Sequence, residues 1–295
     1  MIIEPLEIFT KVAEEKSFSK AAEELYLSQP SVSQQIRNLE NEFDTKLIYR
    51  SSKHVKLTPA GEILYRRAAE IMAIYAQAKD EINLIRHVVT GRLRIGASFT
   101  IGEYVLPRLV GQTAVKYPRL DIAVTIANTE QIAQSLSQNH LDIGLVEGRV
   151  NADEFSIELF WEDEMVLIAP VGHPLSTGKP VTPAALQDQV WINREAGSGT
   201  RAFSDRFIQA LDLQVQRSYV FSSSKGVKEA VVNGLGIAIV SRLIIEKELA
   251  GGDLVMVPVE QEAVRLARNF VILRMPQAFC TKAVEVFLEE LRSNY

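Results

Sequence analysis

Cysteine is nearly absent from this 295-residue chain, with Cys280 alone, so no intrachain disulfide can form. Histidine is scarce too, and His54, His87, His140 and His173 share no ligand spacing, which argues against a structural zinc site. No apolar run is long enough to cross a bilayer, and the N-terminus is acidic and amphipathic rather than basic and then apolar. The expectation is a cytoplasmic protein with no membrane partner, no metal and no cofactor. An excess of positive charge is also missing. The net charge of -5 excludes binding of polyanions through overall charge, so any affinity for nucleic acid must come from a local patch. What remains is ordinary for a soluble globular protein: 47% hydrophobic and 23% charged residues, in a length that calls for two or more domains.

The first sixty residues carry the sharpest pattern. Leu6, Phe9, Val12 and Ala13 make one helical apolar face, and Ser17 breaks it with an N-cap oxygen. Ala21, Ala22 and Leu25 make a second, short helix whose small residues permit close packing. After the tight connector Tyr26-Leu27-Ser28, Ser28 can cap a third helix, with Pro30 in its first turn. Val32, Ile36, Leu39 and Phe43 form the apolar stripe of that helix. Pro30, Ser33, Gln34, Arg37 and Asn41 lie roughly opposite. Amides, hydroxyls and one guanidinium on an exposed face suit the base-pair edges of a major groove, and two short helices so joined make a helix-turn-helix.

Leu47 to Thr58 reads as two short strands around a basic tip holding Arg50, Lys53, His54 and Lys56, a wing able to lie along phosphates. Between Ser28 and Gly61 five basic residues stand against three acidic ones, a modest patch that a dimer would double. Thr58 can cap the next helix, with Pro59 at its first position. Leu64, Ala68, Ile71, Tyr75, Ala78, Ile82, Ile85 and Val89 then recur at steps of four and three, a heptad seam expected to pair two chains.

From Gly91 onward, strand-like runs alternate with helical ones, which predicts mainly parallel sheets covered on both faces. The strands fall at Arg92–Ala97, Asp121–Ala127, Leu141–Val146, Met165–Pro170, Val190–Asn193, Arg217–Phe221, Ile237–Ser241 and Asn269–Arg274. Ligands in such sheets bind at carboxyl ends of strands. Four of these ends are rich in small polar residues: Ser98-Phe99-Thr100, Asn128-Thr129, Arg194 to Arg201, and Ser222-Ser223-Ser224. Gly197-Ser198-Gly199-Thr200-Arg201 is an anion cradle in prospect, with two glycines, two hydroxyls and a guanidinium ahead of a helix. It lacks the lysine and spacing of a P-loop. Gly234-Leu235-Gly236 opens a strand and is no dinucleotide fingerprint.

The stretches Ala21-Ala22-Glu23-Glu24-Leu25, Ser28-Gln29-Pro30-Ser31-Val32-Ser33, Ile36-Arg37-Asn38-Leu39-Glu40 and Leu57-Thr58-Pro59-Ala60-Gly61 closely resemble the N-terminal signature of LysR-type transcriptional regulators. The resemblance extends over the whole length. It implies an α/β multidomain protein: a winged helix-turn-helix over 1–58, a linker and dimerisation helix over 59–90, and a two-lobed, periplasmic-binding-protein-like effector domain over 91–295. Lobe 1 would hold about 91–161 and 268–295, and lobe 2 about 162–267. Residues matching Gln29, Pro30, Ser33 and Gln34 would approach bases. Those matching Ser31, Arg37, Arg50 and Lys53 would approach the backbone or base edges, with Ser28 at the same helix end. The resemblance further implies a homodimer assembling to a homotetramer on an interrupted palindrome of double-stranded DNA, with RNA polymerase a possible partner.

The Arg194 to Arg201 stretch resembles the CysL-like and CbbR-like branches of that family, which control sulfur assimilation and carbon fixation. The implied effector is a small oxyanion such as sulfite or sulfate, or a phosphorylated metabolite. In the sulfur branch, residues matching Ser98, Thr100, Glu147 and Ser198 line the pocket. Glu147 departs from that pattern, since a hydroxyl is common there, and an anion requires this carboxylate to be neutralised by Arg149, Arg201 or a proton. Two other classes compete, an enzyme using the same cradle and a solute-binding protein. No nucleophile elbow or complete catalytic set supports the first, and the winged helix argues against the second.

Overall fold

The computed structural model describes residues 3–50, 55–84, 89–148, 150–260, 265–276 and 280–295. The chain divides into two compact units, Met1–His87 with Ala278–Lys282, and Val88–Gln277 with Ala283–Tyr295. Lys53 and Ile85 lie outside the described residues.

In the first unit, helices α1 (Glu4–Glu15), α2 (Phe18–Glu24) and α3 (Gln29–Glu42) pack around Phe9, Val12, Ala21, Val32 and Ile36, all fully buried. Ser17 Oγ accepts from Lys20 N and Ser28 Oγ from Ser31 N, so both expected caps are in place. Between α2 and α3 the turn needs one left-handed residue, supplied by Tyr26 at φ 55°. The apolar stripe of α3 stops at Leu39: Phe43 is the C-cap and half exposed, and the next buried position is the carboxylate Glu40. The antiparallel strands β1 (Ile48–Arg50) and β2 (Val55–Leu57) form the wing.

Glu40 joins the wing to the helices. Its carboxylate accepts from Leu47 N at 3.1 Å and Ile48 N at 3.5 Å, and from Lys46 Nζ at 3.0 Å. The 26-residue helix α4 (Pro59–Leu84) follows. Thr58 Oγ1 caps it by accepting from Gly61 N, and donates to Lys46 O. Gly61 is required by this close approach, because a Cβ there would lie 2.0 Å from Leu47 O. Leu64 and Ala68, expected in the pairing seam, instead belong to the winged-helix core. The seam that remains open on α4 is Ile71, Tyr75, Ala78 and Ile82, all exposed, with Ile74 beside them. Val89 packs against the core of the second unit rather than in the seam.

The second unit begins with β3 (Gly91–Ala97), a π turn at Ile101–Val105, α5 (Leu106–Lys116), β4 (Leu120–Ile126), α6 (Thr129–Ser137) and β5 (Ile143–Glu147). The long β6 (Ser156–Pro170) leads to α7 (Pro183–Leu186), β7 (Val190–Arg194), α8 (Gly199–Ala210), β8 (Arg217–Phe221) and α9 (Ser224–Val232). Then come β9 (Ala238–Ser241), α10 (Glu246–Gly251), β10 (Leu254–Met256), β11 (Ala267–Arg274) and α11 (Lys282–Asn294).

One apolar core gathers Leu93, Ile95, Ile143, Leu145, Phe270 and Phe287, and another gathers Met165, Leu167, Trp191, Phe203, Phe207 and Ile239. These are two lobes. Strands β6 and β11 run antiparallel to each other from one to the other, Ser156–Glu164 of β6 pairing with β11 and Met165–Pro170 with β9 and β10. The expectation of mainly parallel sheets therefore needs correction. Among the described residues, parallel ladders join β3 with β4 and β5, and β7 with β8, with isolated parallel bridges between Val181 and Val259 and between Trp191 and Ile237, while β6 and β11 pair antiparallel with every neighbouring strand. The expected strand from Met165 is the doubly buried half of β6. Its first half, Ser156 to Glu164, is partly exposed and breaks its apolar residues with Glu158, Glu162, Asp163 and Glu164, so it lacks the longer apolar run that marks the rest. No helix among the described residues is long and apolar enough to cross a membrane.

Burial opposes ionisation of Glu40, but Lys46 and the two wing N–H groups outweigh it and hold the carboxyl below the usual carboxylate range. A carboxyl lowered on folding stabilises above its unfolded pKa and loses that contribution as pH falls through the folded value. Glu40→Gln should destabilise the winged helix by about 1–3 kcal/mol at neutral pH. It should also flatten the loss of stability seen below about pH 4.5. Urea unfolding of the full-length protein between pH 3 and 7 reads both effects, and an unchanged acid limb removes Glu40 from the account.

Candidate functional site

Helix α3 presents Gln29, Pro30, Ser31, Gln34, Arg37, Asn38 and Asn41 to solvent, with Ser28 exposed at its cap and Ser33 half-buried at its edge. Gln34 Nε2 donates to Asn38 Oδ1 at 3.0 Å, one turn along. Asn38 was legible only as the i+4 neighbour of Gln34 and was not among the expected contacts. The pair orients the Gln34 amide in advance, leaving Oε1 to accept. Arg50 ends β1, at the edge of the wing.

In the second unit the ends of β3 and β5 meet the start of α8. Ser98 Oγ donates to Glu147 Oε2 at 2.8 Å, and Thr200 Oγ1 donates to Glu147 Oε1 at 3.2 Å. The cation that answers Glu147 is Arg268, with Nη1 3.1 Å from Glu147 Oε1. The same guanidinium donates through Nε to Asp163 Oδ2 at 2.7 Å, through Nη1 to Thr200 Oγ1 at 2.9 Å and through Nη2 to Thr100 Oγ1 at 3.1 Å. Ser241 Oγ completes the group by donating to Asp163 Oδ1 at 2.6 Å. All seven residues are buried. Burial pushes the Asp163 carboxyl above its usual range, with Arg268 and Ser241 pulling it down and Glu147 adding to the rise.

A second group lies beside the first. Arg194, 1% exposed, donates twice to Glu195 (2.7 and 2.8 Å) and once to Ser224 Oγ (2.9 Å). Its guanidinium stacks 4.4 Å from the Phe99 ring centre. Asn128 caps α6 by accepting from Gln131 N, and its Nδ2 reaches Glu195 Oε1 at 3.4 Å. Burial works against ionised Glu195, but Arg194 holds its carboxyl below the usual range.

The glycines of the cradle are explained by close approach. Gly199 packs so tightly that a Cβ would lie 2.3 Å from Glu147 O, and Gly197, at φ 83°, would place one 2.5 Å from Glu130 Oε2. Gly197 O also accepts from Glu130 N. The structure thus brings together Ser98, Thr100, Glu147 and Thr200, and separately Phe99, Asn128 and Arg194. Arg201 is not turned to Glu147; it pairs with Asp205 on its own helix at 2.8 Å. Arg149 lies outside the described residues. Ser222 is exposed, and Ser224 takes the bond to Arg194 that this strand end supplies. Ser198 is 4% exposed at the N-cap of α8, yet its hydroxyl makes no cap bond. It borders a cavity of about 490 Å³ that Thr129, Glu147, Asn151, Gly199 and Arg201 also line.

A winged helix with an amide-rich reading face and a two-lobed domain with a polar junction define a DNA-binding regulator that answers to a small molecule. Two family models match, "Bacterial regulatory helix-turn-helix protein, lysR family" over residues 3–62 and "LysR substrate binding domain" over residues 86–295. The chain belongs to the LysR family of transcriptional regulators, which bind DNA through the helix-turn-helix domain and form oligomers; it is not an enzyme. It is 44% identical to the HTH-type transcriptional regulator CysL of Bacillus subtilis over 100% of this chain and 98% of that one. It is 33% identical to a probable RuBisCO transcriptional regulator of Phaeodactylum tricornutum over 98% and 96%. Both branches expected from the Arg194 to Arg201 stretch are therefore among its relatives. Full-length OxyR from Pseudomonas aeruginosa shares the fold, with a TM-score of 0.75 at 22% identity over 99% of this chain and 95% of that one. The Synechocystis CcmR regulatory domain in complex with 2-PG aligns at TM-score 0.64 and 26% identity over 70% of this chain and 97% of that one.

Removing Arg268 would leave Glu147 and Asp163 buried together without a cation. Arg268→Ala should lower the stability of this unit by about 3–5 kcal/mol. Arg268→Lys should recover only part, since an ammonium cannot reproduce the fork that reaches two carboxylates and two hydroxyls. Thermal unfolding of both variants gives the comparison, and full recovery by lysine would reduce the role of Arg268 to charge alone.

Proposed function

We propose that this regulator is controlled by a small anion held between the lobes at the N-terminus of α8, a sulfur oxyanion such as sulfite or sulfate. The observation that carries this reading is Ser198. The residue is only 4% exposed, its hydroxyl makes no cap bond, and it lies beside the first-turn N–H groups of α8, which no carbonyl within the helix can satisfy. The 44% identity to CysL supports the sulfur class. A phosphorylated metabolite is the second reading. It is favoured by the RuBisCO regulators among the relatives, by the 2-PG in the CcmR domain, and by a cavity of about 490 Å³, roomier than one tetrahedral oxyanion needs.

The domain limits proposed are 1–58, 59–90 and 91–295. Ser28, Gln29, Pro30, Ser31, Ser33, Gln34, Arg37, Arg50 and Lys53 form the DNA contact set. Chains pair through the exposed α4 seam, and two dimers join into a tetramer on an interrupted palindrome, in the cytoplasm and within reach of RNA polymerase. The effector shifts the balance of lobe arrangements by its affinity difference between them, typically about 1–3 kcal/mol, which alters tetramer shape and DNA bend.

Two measurements test this. Sulfite, sulfate, thiosulfate and phosphorylated metabolites are screened by thermal shift on the full-length protein, since a ligand of the folded state raises the melting temperature. A rise with one sulfur oxyanion that disappears in Ser198→Ala supports the reading, and a rise with phosphorylated compounds alone replaces it with the second. For DNA, Gln34→Ala should weaken operator binding by about 1–3 kcal/mol and leave non-specific binding unchanged. Equal loss on both duplexes makes Gln34 a backbone contact.

A further inference from the structure

The donors around Glu147 are those an oxyanion would need. Ser98 Oγ comes from the end of β3, Thr200 Oγ1 from the first turn of α8 in the other lobe, and Arg268 Nη1 from the crossing strand β11. A carboxylate and a small oxyanion carry the same sign of charge and accept the same bonds. The cluster already holds two carboxylates on one guanidinium, so a second anion in the same buried place would add an uncompensated charge.

We infer that Glu147 is a built-in anion: its carboxylate fills the anion position at the lobe junction and ties the two lobes together without any ligand. This rests on the interlobe cleft being the regulatory site. It follows that the effector binds beside Glu147, on the Ser198 side, and acts on a junction that is already charged and closed.

Chemical rescue tests it, in full-length protein carrying Ser198→Ala so that the α8 site does not contribute. Adding Glu147→Ala empties the carboxylate position and leaves Ser98, Thr200 and Arg268 aimed at it. The melting temperature should fall, and formate should raise it again by about 2–4 °C, while chloride at equal ionic strength should not. The parent with Glu147 intact should show no formate response, and adding Ser98→Ala to the Glu147→Ala chain should remove most of it. Absence of rescue overturns the inference, as does an equal rise with Glu147 present. Should the alanine variant not fold, Glu147→Gln keeps the volume but turns an amide N–H toward a donor. Amide exchange around Ser98 and Thr200 should then quicken while the winged helix is unchanged, and unaltered exchange overturns the inference. The effector proposal fails separately, on a wild-type protein that no oxyanion or phosphorylated compound shifts.

Discussion

The second unit is organised around one guanidinium shared by two buried carboxylates. Arg268 and Asp163 face each other across the β11–β6 ladder, in register, on the two strands that pass between the lobes. Glu147 arrives from the end of β5, and the hydroxyls of Ser98 and Thr100, of Thr200 and of Ser241 arrive from three other segments. An ion network of this kind is a weaker stabiliser than apolar packing. Its effect is on geometry, because each buried lone pair and N–H must meet its partner at bonding distance. A shift of either lobe by an ångström would unmake several bonds together.

That constraint explains features which look local. Gly199 carries no side chain because the Thr200 hydroxyl reaches Glu147 only if the α8 backbone touches the end of β5. Gly197 is left-handed because the chain must turn there, under Glu130, to begin α8. The glycines expected to open a space for an anion thus also close a space between lobes. Arg194 behaves likewise. Its charge is met by Glu195, and what it offers the cleft is a flat, stacked surface on Phe99. An anion proposed at this junction would therefore meet backbone N–H groups and hydroxyls more than free guanidinium charge.

The winged helix was legible in the sequence because its determinants are short-range. Caps at Ser17, Ser28 and Thr58 and the spacing of Val32, Ile36 and Leu39 all act within a few residues. The stripe misled at Phe43, where the helix had already ended, and at Leu64 and Ala68, where a heptad pattern served the domain's own core. Strands after Gly91 were legible where short apolar or β-branched and aromatic runs mark them. The first half of β6 was not, since its acidic residues break the apolar run and its positions pair across the sheet with residues more than a hundred positions later. Arg268 escaped for the same reason. Nothing around it marks it as functional, and its partners at Glu147 and Asp163 lie 121 and 105 residues away.

A carboxylate at position 147 changes what an effector can do. A ligand alters an equilibrium only by binding one state better than the other. Where the junction needs an outside anion to close, the full energy of that bond is available for switching. On the inference that Glu147 is a built-in anion, its carboxylate supplies that bond without ligand, through Ser98, Thr200 and Arg268. The proposed effector would then act through the α8 N-terminus, Ser198 and the cavity that Glu147 borders, rather than by making the bonds Glu147 already makes. Such a device trades switching range for a defined resting shape, with the two lobes held in register at concentrations of effector too low to bind.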